Sequence, residues 1–559
     1  MAVGTLTFRY TEMLLLSSLV CILCFRICKY VKGLIGLVLM FFCYLSVIPL
    51  KLMLFSYIDP YDISRFIGFS VAISSMYLLC SISINSLKHN KVLNVLIIAF
   101  LLLPIFLTWS YYFVSGAWIS ADTVVALLQT NFREIIEFLM DSVNSYSIIG
   151  LFVFIAIVLL LSYLFSTKCL ENKIRRKSLI LFLLPWVFLT YKCSDNLLTN
   201  IIVDTRNYIK SYDAFVSAQE ERKHNIDSNI KNMKGLSMGN KGIYVVVIGE
   251  SQLKDNMSAY GYNKTTTPWL DEFKKEKNVV FFTNAYSCHA YTTVSLAYAL
   301  TAKNQYNELD AKDAVSLIEV ANALNFDTVW ISNQTRYSLA DNPITVIASS
   351  AKQQIWNNNS AETCYTVYHD EIILDSIDKL SLSDNMLIFV HMMGNHFVYS
   401  ERYPKKFNIF GDTRLVDRYD NSIVYNDYVM ENLVSRVSKL PNFKALMYFS
   451  DHGEDIKNQT RHDVNKFTFD MTRVPMYVYF SDEFIEANPE IYDNMNHNKD
   501  NVFTNDLVFD VIMGMMGTRI PNIYDEANDL TSKYYNKDVR RFKTLYGKRF
   551  ITEDEKLSI

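Results

Sequence analysis

The first 200 residues of the chain contain long apolar stretches, whereas the later residues alternate short apolar runs with polar segments. A helix needs ~20 apolar residues to cross a bilayer, and six stretches reach or approach that length. They occupy residues 11–28, 33–57, 65–87, 92–114, 146–167 and 178–198. The first stretch is short and carries Arg26. The pattern therefore predicts an α-helical transmembrane bundle over residues 1–200 with five or six spans.

The charges between these stretches predict how the bundle is oriented. Basic residues cluster at three joints, near residues 26–32, 88–91 and 168–177, whereas the joints between them are acidic, aromatic or mixed. By the positive-inside rule the basic joints face the cytoplasm. We therefore expect a multi-pass membrane protein whose part after residue 200 lies outside the cytoplasm.

Two connecting segments have patterns of their own. Between the fourth and fifth spans, residues 121–141 place apolar side chains at helical spacing and interrupt them with polar ones. This pattern predicts an interfacial helix on the outer membrane surface, although a plain connector has the same composition. Residues 201–240 are polar and end in a segment rich in Gly and Lys, which predicts a bridging helix followed by a linker.

Residues 241–559 alternate short β-rich apolar runs with helical stretches, which predicts an α/β domain with a mixed, mainly parallel sheet. The runs that we interpret as strands are 244–249, 279–282, 327–331, 386–391, 445–450 and 475–480. The net charge of −3 and the pI near 6.3 give no support for a nucleic-acid partner.

Residues able to bind a metal follow two of these runs directly. Glu250 follows the first run, and Asp451 and His452 follow the run at 445–450. Because parallel strands end at the same edge of a sheet, we expect these side chains to lie close together. Oxygen and imidazole donors suit zinc, and zinc would activate a neighbouring hydroxyl such as that of Thr292. Taken singly, Glu250 also fits a helix cap and Asp-His-Gly-Glu a turn.

Several ordered segments resemble those of one enzyme family. They include Val-Ile-Gly-Glu-Ser (247–251), Trp-Ile-Ser-Asn-Gln (330–334), His-Met-Met-Gly-Asn-His (391–396) and Phe-Ser-Asp-His-Gly-Glu (449–454). The family is that of the phosphoethanolamine transferases of Gram-negative envelopes, which join an amino-terminal membrane bundle to an alkaline phosphatase-like or sulfatase-like catalytic domain. The resemblance thus covers nearly the whole chain. It implies a bacterial inner-membrane protein with its catalytic domain in the periplasm.

The resemblance implies a role for each residue of the metal cluster. Thr292 matches the nucleophile that transiently carries phosphoethanolamine, and Thr293 is its rival in the sequence. Glu250, Asp451 and His452 match the other ligands of one tightly bound zinc ion. A second, weaker ion is left open.

The resemblance also implies residues that bind substrate. His396 and His462 match histidines that bind the transferred phosphate or the second metal ion. Gln129, Thr130 and Glu134 match a polar cluster on the interfacial helix that contacts the lipid headgroup. The implied donor is phosphatidylethanolamine in the lipid bilayer, and the implied acceptor is lipopolysaccharide, either its core or lipid A.

The segment around the nucleophile favours one acceptor over the other. His289-Ala290-Tyr291 precedes Thr292, which is more similar to the branch that modifies inner-core heptose phosphate than to lipid A-directed members. An added ammonium weakens the attraction of an anionic surface for cationic peptides, so peptide resistance is expected.

Three alternatives remain open at this point. The same chemistry could act on a lipid A phosphate, or a phosphoglycerol transferase of the lipoteichoic acid type could use the same nucleophile. A membrane-tethered binding protein without turnover is the third. A formylglycine sulfatase is disfavoured because Cys288 is followed by His-Ala-Tyr-Thr rather than by x-Pro-x-Arg.

Overall fold

The computed structural model describes residues 2–27, 31–55, 58–84, 90–129, 145–166, 176–232, 240–336, 343–358 and 368–557. The chain divides into two compact units. A helical unit comprises Met1–Val125 and Phe138–Asn207, and a sheet unit comprises Ala126–Glu137 and Tyr208–Ile559.

The amino-terminal region is formed by eight described helices: α1 Ala2–Ile27, α2 Val31–Leu45, α3 Val47–Phe55, α4 Pro60–Ile84, α5 Asn90–Ser115, α6 Ala121–Gln129, α7 Ser145–Ser166 and α8 Arg176–Lys192. Helix α1 packs on α4 and α8, and α5 packs on α7. Many large apolar side chains point outward, including Phe100 at 72% and Leu184 at 69% exposure. An apolar outer surface of this extent suits contact with lipid rather than water.

Within the described residues, two helical segments are long and apolar enough to cross a membrane. They are Leu34–Leu54 and Val92–Ser115. Two further apolar helical segments, Ile148–Leu164 and Ile180–Lys192, are shorter. The count of five or six spans therefore stays a prediction.

Two polar helices follow α8 in the sequence, α9 (Thr199–Ser217) and α10 (Gln219–Asn232). The buried guanidinium of Arg222 lies 3.4 Å from the Glu319 carboxylate and 4.1 Å from the centre of the Phe215 ring. It also donates a hydrogen bond to the Lys312 carbonyl at 3.0 Å. These contacts fix α10 to the body of the sheet unit.

The sheet unit is built on one seven-stranded sheet in the order β2-β8-β7-β1-β6-β4-β5. The strands of this sheet are β1 Ile243–Gly249, β2 Val279–Phe282, β4 Asp327–Thr335, β5 Gln353–Asn358, β6 Met386–His391, β7 Phe443–Ser450 and β8 Met476–Phe480. Two short pairs of strands lie outside it: β3 Ala285–Tyr286 with β9 Phe503–Thr504, and β10 Lys543–Thr544 with β11 Arg549–Phe550. The five strands from β7 to β5 are parallel, whereas β8 is antiparallel to both its neighbours. The predicted α/β class with a mixed, mainly parallel sheet is confirmed.

Both faces of the sheet are covered, which explains the continuous apolar runs in its strands. In β1, Tyr244, Val246 and Ile248 belong to one buried cluster. Ile243, Val245 and Val247 alternate with them and belong to another. The covering helices include α11 (Pro268–Phe273), α12 (Thr292–Ala299), α13 (Leu317–Ala323), α14 (Pro343–Ser349), α15 (Ile372–Asp378), α16 (Leu415–Val437), α17 (Asp482–Ala487), α18 (Pro489–Asn498) and α19 (Val508–Met515).

The sequence pattern missed one strand of the seven-stranded sheet and the four strands of the two short pairs, and it gave β4 too short. The edge strand β5 reads Gln-Gln-Ile-Trp-Asn-Asn and has half-buried side chains, so it lacks the apolar run that marks a central strand. Strand β4 continues from Ile331 to Thr335 through polar residues. That polar extension reaches the carboxyl edge of the sheet, where the candidate site lies.

Candidate metal and nucleophile site

Two neighbouring parallel strands bring Glu250 and Asp451 together. Strand β1 pairs with β7 so that Gly249 lies opposite Ser450, and each carboxylate is carried by the next residue. The Asp451 amide donates to the Gly249 carbonyl at 3.1 Å. Glu250 is 1% exposed and Asp451 is fully buried. The structure therefore places both carboxylates side by side at the carboxyl edge, as the strand spacing predicted.

The two oxygens of Asp451 have different surroundings. Oδ1 accepts hydrogen bonds from the backbone amides of Ser251 at 2.9 Å and His452 at 2.7 Å. Oδ2 is buried without a hydrogen-bond partner among the described residues and lies 3.4 Å from His452 Nε2. An unsatisfied buried acceptor is costly, so this oxygen fits a bound cation.

The imidazole of His452 presents a lone pair to the same candidate cation position as Asp451 Oδ2. Its Nδ1 lies 2.8 Å from the Gly453 carbonyl. Because a carbonyl only accepts, Nδ1 must carry the proton and donate, which leaves Nε2 as a ligand atom. Nε2 lies 3.4 Å from Glu250 Oε1.

Thr292 supplies the hydroxyl at the centre of the cluster. It is the first residue of α12, where the helix dipole favours negative charge on an oxygen. Its Oγ1 lies 3.1 and 3.3 Å from the Glu250 oxygens and 3.3 Å from His452 Nε2. Ser295 Oγ, one turn later, donates to the Asp451 carbonyl at 2.7 Å, which ties this helix to the end of β7.

The ionisable groups of the cluster shift one another's pKa values. Burial acts to raise the pKa of Glu250, but hydrogen bonding and charge from His452 hold it well below its ordinary value. Burial and the neighbouring Glu250 raise the pKa of Asp451. Burial opposes protonation of His452, yet Asp451 and Glu250 raise its pKa to about 10. Without a metal the cluster therefore binds protons, whose positive charge offsets that of the buried carboxylates. A divalent cation at the same place would offset the same charge and displace the protons.

The donor atoms fit a zinc ion. Ligand atoms of Glu250, Asp451 and His452 all lie within 4.8 Å of one another. With Thr292 Oγ1 they make three oxygens and one nitrogen, and zinc in proteins takes four such donors in a tetrahedron.

A second group of possible ligands shares His452 and adds Glu454 and His462. The buried Glu454 carboxylate accepts from Tyr399 Oη at 2.6 Å and lies 2.8 Å from His462 Nδ1. The His462 ring is 5.0 Å from that of His452, and its side chain is 30% exposed. His462 therefore lies at the open side of the cluster.

The other predicted substrate-binding residues are described to different extents. His396 is half-buried in the loop after β6, and an electrostatic interaction with it lowers the pKa of Glu250, so it lies close to the cluster. Gln129 is the last described residue of α6, with its backbone only, and Thr130 and Glu134 lie outside the described residues. The roles of these residues stay predictions.

Comparison with known proteins places this site in a family. A family model described as Sulfatase matches residues 243–518. Residues 243–518 form a sulfatase-family domain. Every described residue of the metal cluster lies within it.

The curated relatives of the chain include two proteins that are named as phosphoethanolamine transferases. One is EptC of Escherichia coli K12, which is 28% identical over 330 residues that cover 55% of this chain and 54% of that protein. The other is EptA of Helicobacter pylori, which is 24% identical over 433 residues that cover 70% of this chain and 78% of that protein. The aligned part thus spans about half the length of the first relative.

The solved structures that resemble this chain include two phosphoethanolamine transferases. The periplasmic domain of Escherichia coli EptC, solved as a zinc complex, covers 56% of this chain and 94% of its own at 25% identity and a TM-score of 0.51. That overlap is confined to about the length of the sulfatase-family domain. The integral membrane protein EptA of Neisseria meningitidis covers 90% of this chain and 98% of its own at 16% identity and a TM-score of 0.60. The second likeness shows a shared fold, including the helical region.

Two residues of the sulfatase-family domain near the cluster escaped the sequence analysis. Glu454 stood inside a quoted motif, but its contact with His462 depends on how the loop after β7 folds. Gln334 stood at the end of another motif, and its Nε2 donates to Glu250 Oε2 at 2.9 Å. In both cases the available signal was a polar residue shortly after a run predicted to be a strand.

Proposed function

We propose that the protein is a metal-dependent phosphoethanolamine transferase that carries the transferred group on Thr292. The observation that carries the proposal is the position of Thr292 Oγ1, within 3.3 Å of both Glu250 and His452 at the edge of a buried sheet. The names of the relatives and the zinc complex of one of them support the choice of group and metal. A threonine hydroxyl is a weak nucleophile at neutral pH and needs such activation.

Glu250, Asp451, His452 and Thr292 would hold the zinc ion. When bound, zinc supplies Lewis-acid stabilisation of the threonine alkoxide and of the charge that develops on the phosphoryl oxygens. Glu250 Oε2, 3.1 Å from Thr292 Oγ1, is the nearest acceptor for the hydroxyl proton. Held in this position, Oγ1 attacks the phosphorus of phosphatidylethanolamine.

The first transfer breaks the bond between phosphorus and the glycerol oxygen. A histidine on the open side, His396 or His462, gives that oxygen a proton, so diacylglycerol leaves and phosphoethanolamine remains on Thr292. In the second transfer an acceptor oxygen attacks the same phosphorus and loses its proton, and Thr292 Oγ1 leaves and regains one. Donors directed at the phosphoryl oxygens in such a site contribute about 2.7–4 kcal/mol each.

The proposed location is the bacterial inner membrane, with residues 241–559 in the periplasm as the catalytic domain and 201–240 as the bridge. The outward apolar side chains of the helical unit and the basic joints of the sequence support this arrangement. Gln129, Thr130 and Glu134 of the interfacial helix would then contact the donor headgroup, with the Glu134 carboxylate facing its ammonium.

The proposed acceptor is phosphorylated heptose of the lipopolysaccharide inner core, and a lipid A phosphate is the alternative. The segment before Thr292 supports the core. It carries His289, which is buried beside Tyr291 and Tyr546 at ring distances of 5.4 and 5.0 Å. Mass spectrometry of lipopolysaccharide from a deletion strain and its complement tests the choice. Loss of phosphoethanolamine from core fragments is expected, and loss from lipid A alone would identify the alternative acceptor.

The covalent step has a direct test. Purified protein is incubated with zinc and phosphatidylethanolamine, and the peptide that contains Thr292 is examined for a phosphoethanolamine adduct. Thr292→Ala should abolish the adduct, whereas Thr293→Ala is the matched control and should retain it. An adduct formed only with phosphatidylglycerol would identify a phosphoglycerol transferase instead. An undiminished adduct in Thr292→Ala would refute the assigned nucleophile.

A further inference from the structure

The side-chain amide of Gln334 bridges the metal cluster and the loop behind it. Its Nε2 lies 2.9 Å from Glu250 Oε2 and 3.0 Å from the carbonyl oxygen of Met392. Both partners only accept hydrogen bonds, so the atom between them must be the NH2 group, with one hydrogen for each. We infer that Gln334 is a positioning residue that fixes the Glu250 carboxylate for metal binding.

The register of three strands explains why residue 334 can reach Glu250. Ser332 of β4 pairs with His391 of β6, and His391 pairs with Ile248 of β1. Two residues further on, Gln334 is therefore level with Glu250, and the end of β6 lies between them. The glutamine side chain crosses this strand and gives one hydrogen to each side. An asparagine, which is one methylene shorter, could not reach both partners.

Each oxygen of Glu250 then has one donor directed at it. Oε1 accepts from Ser251 Oγ at 2.8 Å, and Oε2 accepts from Gln334. With both oxygens held, the plane of the carboxylate is fixed. Its remaining lone pairs face Thr292 Oγ1 and His452 Nε2.

The other end of the bridge is fixed by the packing of the loop after β6. A Cβ on Gly394 would lie 2.9 Å from the backbone nitrogen and oxygen of Glu250, so this loop lies directly against the ligand residue. The buried Asp370 carboxylate accepts from the amides of Met393 at 2.8 Å and Gly394 at 2.7 Å. Gln334 is therefore tied to a rigid point at Met392 and transmits that rigidity to Glu250.

The inference rests on the proposed function in one respect, namely that Glu250 is a zinc ligand. Groups that orient a metal ligand typically change metal affinity by about 10- to 100-fold when they are replaced. Gln334→Met keeps the length of the side chain and removes the donor. We expect it to raise the zinc Kd of the full-length protein in detergent by about 10- to 100-fold, with turnover recovered to within a few-fold at saturating zinc.

The matched control is Asn498→Leu. The buried Asn498 amide also bridges two carbonyls, those of Leu530 at 2.9 Å and Ser532 at 3.3 Å, in a part of the same unit that contains no ligand residue. This variant should lower the melting temperature and leave the zinc Kd unchanged. Gln334→Asn is a second variant at the site, in case the methionine variant does not fold, and should weaken zinc binding to a similar extent.

Competition with a chromophoric zinc chelator measures all four Kd values. If the Gln334 variants match wild type in zinc Kd and differ only in melting temperature, as the Asn498 control should, the inference is wrong. The adduct assay on wild-type protein keeps the two proposals apart. An adduct together with unaffected zinc binding in Gln334→Met overturns only the positioning role, whereas tight zinc binding without an adduct overturns the proposed transferase.

Discussion

Replacing Asp451 with asparagine should abolish zinc binding and yet stabilise the metal-free protein. Oδ1 can keep both of its backbone donors, because an asparagine oxygen accepts as an aspartate oxygen does. The new NH2 group replaces Oδ2, and it can donate to the Glu250 carboxylate as the proton held by the metal-free cluster does. The variant therefore avoids the penalty of placing a titrating carboxyl beside Glu250, the penalty that raises the pKa of Asp451.

The expected gain is the removal of this penalty from the folded state, which is of the order of the cost of one poorly satisfied buried polar group, about 1–3 kcal/mol. For a large domain that corresponds to an increase in melting temperature of roughly 2–6 °C. With zinc present, the wild type should have the higher melting temperature instead of the Asp451→Asn variant. At a thousand times its Kd, a ligand stabilises the folded state by about 4.1 kcal/mol, and only the wild type should gain this stability.

Thermal unfolding with a chelator and then with excess zinc measures both effects. Asp370→Asn is a matched control with the opposite expected sign. Both Asp370 oxygens accept hydrogen bonds, from the Asn333 side chain and from the Met393 and Gly394 amides, so an NH2 group there would face a donor. A metal-free Asp451→Asn protein that is less stable than wild type would refute the reasoning, as would equal stabilisation of both proteins by zinc.

Three further predictions concern protons and buried partners. The zinc affinity should rise with pH and zinc binding should release protons, because the pKa values of Asp451 and His452 are raised in the metal-free protein. Calorimetry in two buffers of different ionisation enthalpy measures the number of protons released. Zinc binding without proton release would contradict the prediction. Burial raises the pKa of Asp510 to about 8 in the folded protein, whereas the pKa of an unfolded aspartate is about 3.9. Because the folded state binds the extra proton, the free energy of unfolding should fall by up to about 1.4 kcal/mol per pH unit between pH 5 and 8. Asp510→Asn should flatten this slope when unfolding is measured as a function of pH, and an unchanged slope would contradict the prediction. Tyr399→Phe removes the 2.6 Å hydrogen bond to the buried Glu454. The free energy of unfolding, measured with denaturant, should fall by about 1.5–3 kcal/mol. A decrease below about 0.5 kcal/mol, the size expected for a neutral surface change, would contradict the prediction.

The sequence pattern located most of the central sheet because its strands are buried on both faces and therefore apolar throughout. The bounds of β2 and β6 agree with the predicted runs at 279–282 and 386–391. Strand β5 escaped because an edge strand with polar side chains has no such run. The positions of Glu250 and Asp451 could be anticipated since both follow apolar strands that are parallel neighbours.

The contacts made by side chains from different strands could not be anticipated in the same way. The bridge from Gln334 to Glu250 requires the strand order β1-β6-β4 and its exact register. The contact of Glu454 with His462 requires the path of a loop. Neither spacing along the chain nor residue type contains this information.

The ion pair between Arg222 and Glu319 determines where a water-soluble fragment of this protein should begin. A fragment that starts at residue 240, just before the first strand, would retain the Glu319 carboxylate but lack the Arg222 guanidinium that pairs with it. Leaving one partner of a buried ion pair alone typically costs about 3–5 kcal/mol, a large part of the stability of most domains. Expression trials should therefore retain the helix Gln219–Asn232, even though it precedes every residue assigned to catalysis in this unit.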